Sequence, residues 1–366
     1  MKGTVLVTGG AGFIGRHVAT ALLHEGHDVR ILDALIEQVH GAAASQPVAG
    51  AELVRGDIRD PEAVQRALHG VDSVIHLAAE VGVGQSMYAI DRYVGVNDLG
   101  TAVLFQALIQ APVRRVVVAS SMSIYGEGLY RDSAGNAVEV AERAAGNGHG
   151  WDPVDETGAP LDPLPTPEWK QPSFASVYAL TKFMQEKLTL VTAPAYGMEA
   201  CALRLFNVFG PGQALSNPYT GVLAIFAGRL LNGEPPLVFE DGAQRRDFVH
   251  VADVAQAFAR ALDSPAAVGG TFNIGSGRHY SVSQVAGLLA DAMGSDIAPE
   301  ILGKARTGDI RHCFADISLA RERLGFEPAH RLEDSLGDLA EWVKRQQATD
   351  RVDTARKELE TWGLVA

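Results

Sequence analysis

Cysteine is almost missing from this chain. Two stand in 366 residues, Cys201 and Cys313, too few and too far apart for a disulfide framework or a cysteine-rich metal site. Basic residues are in deficit: 31 Lys and Arg against 44 Asp and Glu give a formal net charge of −13. Such a field does not draw a protein to nucleic acid or to an anionic membrane, and an anionic ligand must be held by a few placed arginines. No run of about 18 apolar residues exists to span a bilayer. The segment Thr4-Val5-Leu6-Val7 already reads as a strand, so no signal peptide is expected and the protein is read as cytoplasmic. The remaining composition, 47% apolar and 20% charged, is that of a globular protein with one large core and a smaller lobe.

The first half alternates short apolar strands, at 3–8, 28–33, 51–55, 72–77 and 115–120, with stretches of helical length. Residues 12–25 and 97–110 have amphipathic helical spacing. This alternation predicts an α/β fold: a Rossmann-type doubly wound parallel sheet with helices on both faces. From 126 to 172 Gly, Pro, Asn and Asp accumulate, which reads as a long surface excursion. Helical periodicity returns over 174–193, followed by a strand at 199–205. Beyond 206, helices fit 221–232, 251–263 and 281–294, a strand fits 271–274, and 331–360 reads as helical and charged. The expected division is a Rossmann domain over 1–205, carrying the insertion, and a smaller α+β substrate lobe over 206–366. That lobe is discontinuous, with some segments returning to the first domain.

Gly9-Gly10-Ala11-Gly12-Phe13-Ile14-Gly15 leaves the first strand and opens the first helix. Glycines there let the backbone approach a pyrophosphate, and the helix N-terminus offers free N–H groups to its charge. Asp33 ends the second strand; a carboxylate at that place accepts hydrogen bonds from an adenosine ribose and repels a 2′-phosphate, which favours NAD over NADP. Asp57 and Ile58 follow the third strand, where an adenine edge would lie. Leu77, Ala78 and Ala79 end the fourth, with small residues where a dinucleotide needs close approach.

Tyr178 and Lys182 stand at i and i+4 and share one helix face. A phenol titrates near 10, so work as a base at neutral pH needs a shift of about 3 units, roughly 4 kcal/mol, which neighbouring positive charge supplies in the right direction. Ser121 and Ser123 end the fifth strand, where ligands bind in a doubly wound sheet. A serine there polarises a carbonyl.

The order of glycine loop, Ser-x-Ser-x-Tyr-Gly, Tyr-x-x-x-Lys and Leu203-Arg204-Leu205-Phe206-Asn207-Val208-Phe209-Gly210-Pro211 resembles the extended short-chain dehydrogenases that act on nucleotide sugars. The resemblance runs over about 3 to 330. It implies that Tyr178 is the base, Lys182 its tuner and a ribose ligand, and Ser121, with Ser123, a substrate contact. Asn97 resembles the family's buried asparagine behind the site, counted with the cofactor-binding residues, and Asn207 would touch the sugar diphosphate. Arg246 and Arg306 match the diphosphate arginines, and Asp309 a nucleoside-ribose contact. Fixed cationic donors are what a diphosphate requires. The family's dimers imply a homodimer through the helices at 97–110 and 174–193.

Dehydratases and decarboxylases of the family carry an acid beside the serine; here Met122 and Ser123 stand there. A 4-keto sugar can then only take hydride back, and return to its other face inverts C4. The segments 210–221 and 308–316 resemble the dTDP-L-rhamnose 4-epimerase branch, which implies a dTDP- or UDP-linked sugar. Some members of that branch carry Cys-x-x-Cys in the insertion; this chain has no cysteine between 126 and 172, and no metal is expected. No basic residue precedes Arg92 in the loop 80–92, which disfavours a uronate. Two other readings stay open: a net oxidoreductase that releases a keto sugar, and a catalytically silent dinucleotide-sensing protein.

Overall fold

A computed structural model describes residues 2–40, 48–141, 150–219, 221–346, 350 and 352–365. Seven parallel strands form the central sheet: β1 (Thr4–Thr8), β2 (Asp28–Asp33), β3 (Ala51–Arg55), β4 (Ser73–His76), β5 (Arg115–Ser121), β6 (Glu199–Leu205) and β7 (Thr271–Ile274). Their spatial order is β7-β6-β5-β4-β1-β2-β3. Val5, Leu6 and Val7 are all buried because helices cover both faces, and such strands need no polar alternation. On one face, the helix Phe13–His24 packs beside Val251–Asp263 over Val18, Leu22, Val254 and Phe258. On the other, Pro61–Leu68 and Gly100–Gln110 bury Val64, Leu68, Leu104 and Leu108.

The strand order reverses between β1 and β4. Their carboxyl ends diverge there and leave the crevice in which such sheets bind ligands. β7 and the helix Val251–Asp263 come from beyond residue 206 yet complete the central sheet and its cover. The separate lobe has its own apolar core between the helices Val222–Leu231, Val282–Met293 and Leu332–Lys344.

Three expectations change. The helix expected over 97–110 begins as a π-helical turn, Val94–Leu99, and becomes α-helical at Gly100–Gln110; the wider turn holds Asn97 fully buried. The insertion is not merely a surface excursion. Leu129–Arg131 pairs antiparallel with Ala137–Val138 and with Asp162–Leu164, and its return carries the buried Thr166 and Lys170 into the main body. Lys170 Nζ donates to Tyr125 O at 2.5 Å, and Thr166 N donates to Phe314 O at 2.8 Å. The single helical stretch expected over 331–360 is two helices, Leu332–Lys344 and Val352–Thr361. Asp350 breaks it: its carboxylate accepts from Val352 N at 2.9 Å and pairs with Arg229.

Candidate active site

The glycine loop lies where β1 and β4 part. Gly9 has φ +68°, and a Cβ on it would sit 2.9 Å from Ala78 Cα; a Cβ on Gly15 would lie 2.3 Å from Gly9 O. Thr8 Oγ1 accepts from Leu77 N and Ala78 N, both at 3.2 Å, and so staples the two strand ends together. Gly12 caps the helix Phe13–His24 with no side chain, so the first N–H groups of Phe13, Ile14 and Gly15 find no side-chain acceptor. These features fit a pyrophosphate.

Asp33 is buried, and its carboxylate accepts from Ala11 N at 3.0 Å and Leu35 N at 2.9 Å, with His40 Nε2 at 3.3 Å. It therefore binds the glycine loop to the end of β2. Asp57 is partly exposed and holds Arg59 through both oxygens. Ile58 beside it is buried beneath Gly100, whose absent Cβ leaves it room. A cleft of about 970 Å³ opens between Gly12, Phe13 and Gln38 on one side and Gln213, Asn217 and Glu358 on the other.

Tyr178 and Lys182 lie on the helix Val177–Ala195. Ser176 caps it by accepting from Ala179 N at 3.2 Å, and Ser86 Oγ accepts from Tyr178 N at 3.0 Å. Tyr178 is thereby fixed in the first turn, edge-on to Tyr93. Ser123 Oγ donates to Ser121 Oγ at 2.9 Å, and the Ser121 hydroxyl acts on the Tyr178 phenol. The fold thus brings Ser121, Ser123 and Tyr178 together. Burial pushes the Tyr178 phenol above its usual range, while Ser121 pulls it down. Burial also draws Lys182 down to about 7. Removing both groups from water favours both neutral forms, so Lys182 alone does not produce the lowered phenol expected from the sequence.

Asn97 stands behind this surface rather than on it. Its Oδ1 accepts from Glu80 N at 2.7 Å, and its Nδ2 donates to Glu80 O at 3.1 Å and Thr181 Oγ1 at 2.9 Å. It ties the loop at Glu80 to the helix Val177–Ala195.

On the lobe side, Asn207 Oδ1 is buried and has no hydrogen-bond partner among the described residues. Arg246 donates to Arg245 O and Arg311 O at 2.9 Å and to Ile310 O, which fixes its guanidinium in place. Arg306 pairs with Asp309 at 2.8 Å and lies over the Phe239 ring at 4.4 Å. The C-terminal segment reaches across here: Thr307 N donates to Leu364 O, and Glu358 accepts from Tyr88 at 2.9 Å and Tyr219 at 2.6 Å.

Sequence reasoning passed over several of these groups. Gln185 and Glu186 follow Lys182 on the buried side of the helix, and Arg204 meets Glu186 from β6.

The profile of the NAD dependent epimerase/dehydratase family matches residues 5–144 and 156–275. The chain belongs to that family. It is an NAD-dependent enzyme of the nucleotide-sugar epimerase type. It is 35% identical over 356 residues to a dTDP-L-rhamnose 4-epimerase of Burkholderia thailandensis, covering 93% of this chain and 95% of that one. A UDP-glucose 4-epimerase of Thermotoga maritima, solved with UDP-glucose, matches with a TM-score of 0.77 and 31% identity over 93% of this chain and 99% of that one. The UDP-glucose 4-epimerase of Thermus thermophilus, solved with NAD, matches with a TM-score of 0.74 and 32% identity over 94% and 100%. Among the described residues no helix is long and apolar enough to cross a membrane.

Proposed function

We infer that this enzyme inverts C4 of a dTDP- or UDP-linked sugar, a 6-deoxyhexose being the favoured one, through a transient 4-keto sugar. The observation that carries the reading is the meeting of the Ser121–Ser123 hydroxyl pair with Tyr178, with no carboxylate next to Ser121 in sequence. Met122 packs instead among Ile124, Tyr125, Phe206 and Ile310. An elimination or decarboxylation lacks its acid there. The likeness to a dTDP-L-rhamnose 4-epimerase supports the choice of sugar.

In this reading Tyr178, as phenolate, takes the proton of the sugar's 4-hydroxyl while C4 loses a hydride. NAD supplies the acceptor for that hydride and its return. Ser121 donates to the carbonyl oxygen that forms, backed by Ser123. The keto sugar turns over, its other face receives the hydride, and Tyr178 gives the proton back to O4. No redox change remains.

The glycine loop, with Asp33 on the ribose, holds the dinucleotide. Asp57 and Ile58 would border the adenine, Leu77, Ala78 and Ala79 would allow close approach of the dinucleotide, and Lys182 would reach the second ribose. Asn207, Arg246 and Arg306 hold the sugar diphosphate, and Asp309 the nucleoside ribose.

The same reading makes the protein a cytoplasmic homodimer. Leu99, Leu180, Met184 and Val191 are exposed on the two adjacent helices expected to pair, an apolar face that a second copy covers. Light scattering distinguishes monomer from dimer.

Incubation with UDP-, dTDP- and GDP-sugars, followed by NMR, tests the reaction. Interconversion of C4 epimers without build-up of absorbance at 340 nm is expected; stoichiometric NADH release with each turnover overturns the reading.

A further inference from the structure

We propose that Gln185 is a positioning residue for the reaction: its side-chain oxygen holds the Lys182 ammonium beside Tyr178, and its amide nitrogen anchors that oxygen to the dinucleotide-binding strand ends. The proposal rests on the reading in which Tyr178 and Lys182 act together.

Lys182 Nζ donates to Gln185 Oε1 at 2.6 Å. Gln185 Nε2 lies 3.2 Å from Ala78 O, 3.0 Å from Thr101 Oγ1 and 3.2 Å from His76 Nε2. The amide has one workable orientation. An ammonium only donates and a backbone carbonyl only accepts, so oxygen faces Lys182 and nitrogen faces Ala78. A flipped amide would set donor against donor at one end and acceptor against acceptor at the other.

The anchor is itself fixed. Thr101 Oγ1 donates to Asn97 O at 2.5 Å, and His76 Nδ1 meets Thr8 Oγ1 at 2.7 Å. Thr8 and Ala78 belong to the two strand ends between which the glycine loop sits. A displacement of that loop is therefore transmitted to the oxygen that holds Lys182.

The charges around Lys182 leave this oxygen a decisive place. Tyr178 and Glu186 flank Lys182 one turn away on its own helix, and His76 faces it from β4. Glu186 is committed to Arg204 on β6 and Ser120 on β5. His76 is neutral near pH 7, since burial and the nearby Lys182 pull it down to about 3. Lys182 is nearly fully buried and titrates near 7, so an acceptor at hydrogen-bond distance sets how much of it carries charge.

The test is the pH dependence of kcat in Gln185→Met, which keeps volume and removes the acceptor, and in Gln185→Glu, which adds a full negative charge. In Gln185→Met the alkaline limb, where Lys182 loses its proton, is expected about one unit lower, with kcat down about tenfold and KM within about twofold. In Gln185→Glu the same limb moves to higher pH. A purely packing role lowers melting temperature and moves neither limb. Gln185→Glu reads the same limb if Gln185→Met does not fold. Unmoved limbs in folded variants, with Tyr178→Phe inactive, overturn the role of Gln185 alone. Turnover by Tyr178→Phe overturns the reading beneath it.

Discussion

Arg204 on β6 and Glu186 on the helix Val177–Ala195 meet in a two-point ion pair, Nε to Oε2 and Nη2 to Oε1, both at 2.9 Å and both buried. Burial raises the carboxyl of Glu186, but the hydrogen bonds and charge of Arg204, the Ser120 hydroxyl and the Lys187 charge together hold the group below its ordinary range. Arg204 Nη1 also donates to Tyr125 Oη, which in turn donates to Asn273 on β7. Removing one partner strands a charge in the core. Arg204→Leu is expected to cost about 3–5 kcal/mol in urea unfolding, and Arg204→Leu with Glu186→Leu markedly less. Equal losses in the single and the double variant would show that packing, not charge, dominates.

Asp33 serves two ends. In the proposed reading its carboxylate receives a ribose, and it also holds Ala11 N and Leu35 N, the latter on a residue with φ +53°. Asp33→Ala is expected to weaken NAD binding about tenfold or more and to narrow the preference over NADP. Fluorescence titration with both dinucleotides measures the ratio; an unchanged ratio removes Asp33 from ribose recognition.

Two glycines of the same loop separate folding from binding. A Cβ on Gly15 would meet Gly9 O at 2.3 Å and Gly10 Cα at 2.5 Å, both backbone, whereas one on Gly12 meets only Gly9 O at 3.3 Å. Gly15→Ala is expected to lower both melting temperature and NAD retention. Gly12→Ala is expected to keep the melting temperature within a few degrees and to lose NAD. The pair is checked by calorimetry and by the NAD content of the purified protein.

His76 offers a pH test. Its conjugate acid sits at about 3 in the fold against 6.5 when exposed, so between those values the unfolded chain binds the extra proton. Stability from this group is complete above pH 6.5 and drains as pH falls toward 3, about 5 kcal/mol in total. Nitrogen NMR of the imidazole should show the neutral ring at pH 5. A midpoint near 6.5 would contradict the burial argument.

The central sheet and the meeting of Ser121 with Tyr178 were legible because each rests on local pattern: apolar strand runs, a glycine turn, an i, i+4 pair. Gln185 was not, since a glutamine three residues after a lysine reads the same on a wet face as on a buried one. The π-turn at Asn97 was not legible either, since Gly95 within it and Gly100 after it fit a continuous α-helix equally well. Lys170 follows a proline-rich loop, and only the tertiary fold reveals that its ammonium is wanted by Tyr125 O. The break before Val352 did carry a signal, for aspartate is a preferred first cap, but charged helical composition on both sides masks it.

β7 and the helix Val251–Asp263 lie late in the chain and complete an early sheet. A gene cut after codon 205 would therefore yield two fragments, neither with a finished interior. The first would expose the edge of β6 and the apolar flank of the helix Phe13–His24, and would aggregate unless the second were co-expressed. Complementation in trans, not independent expression, is how this enzyme can be taken apart.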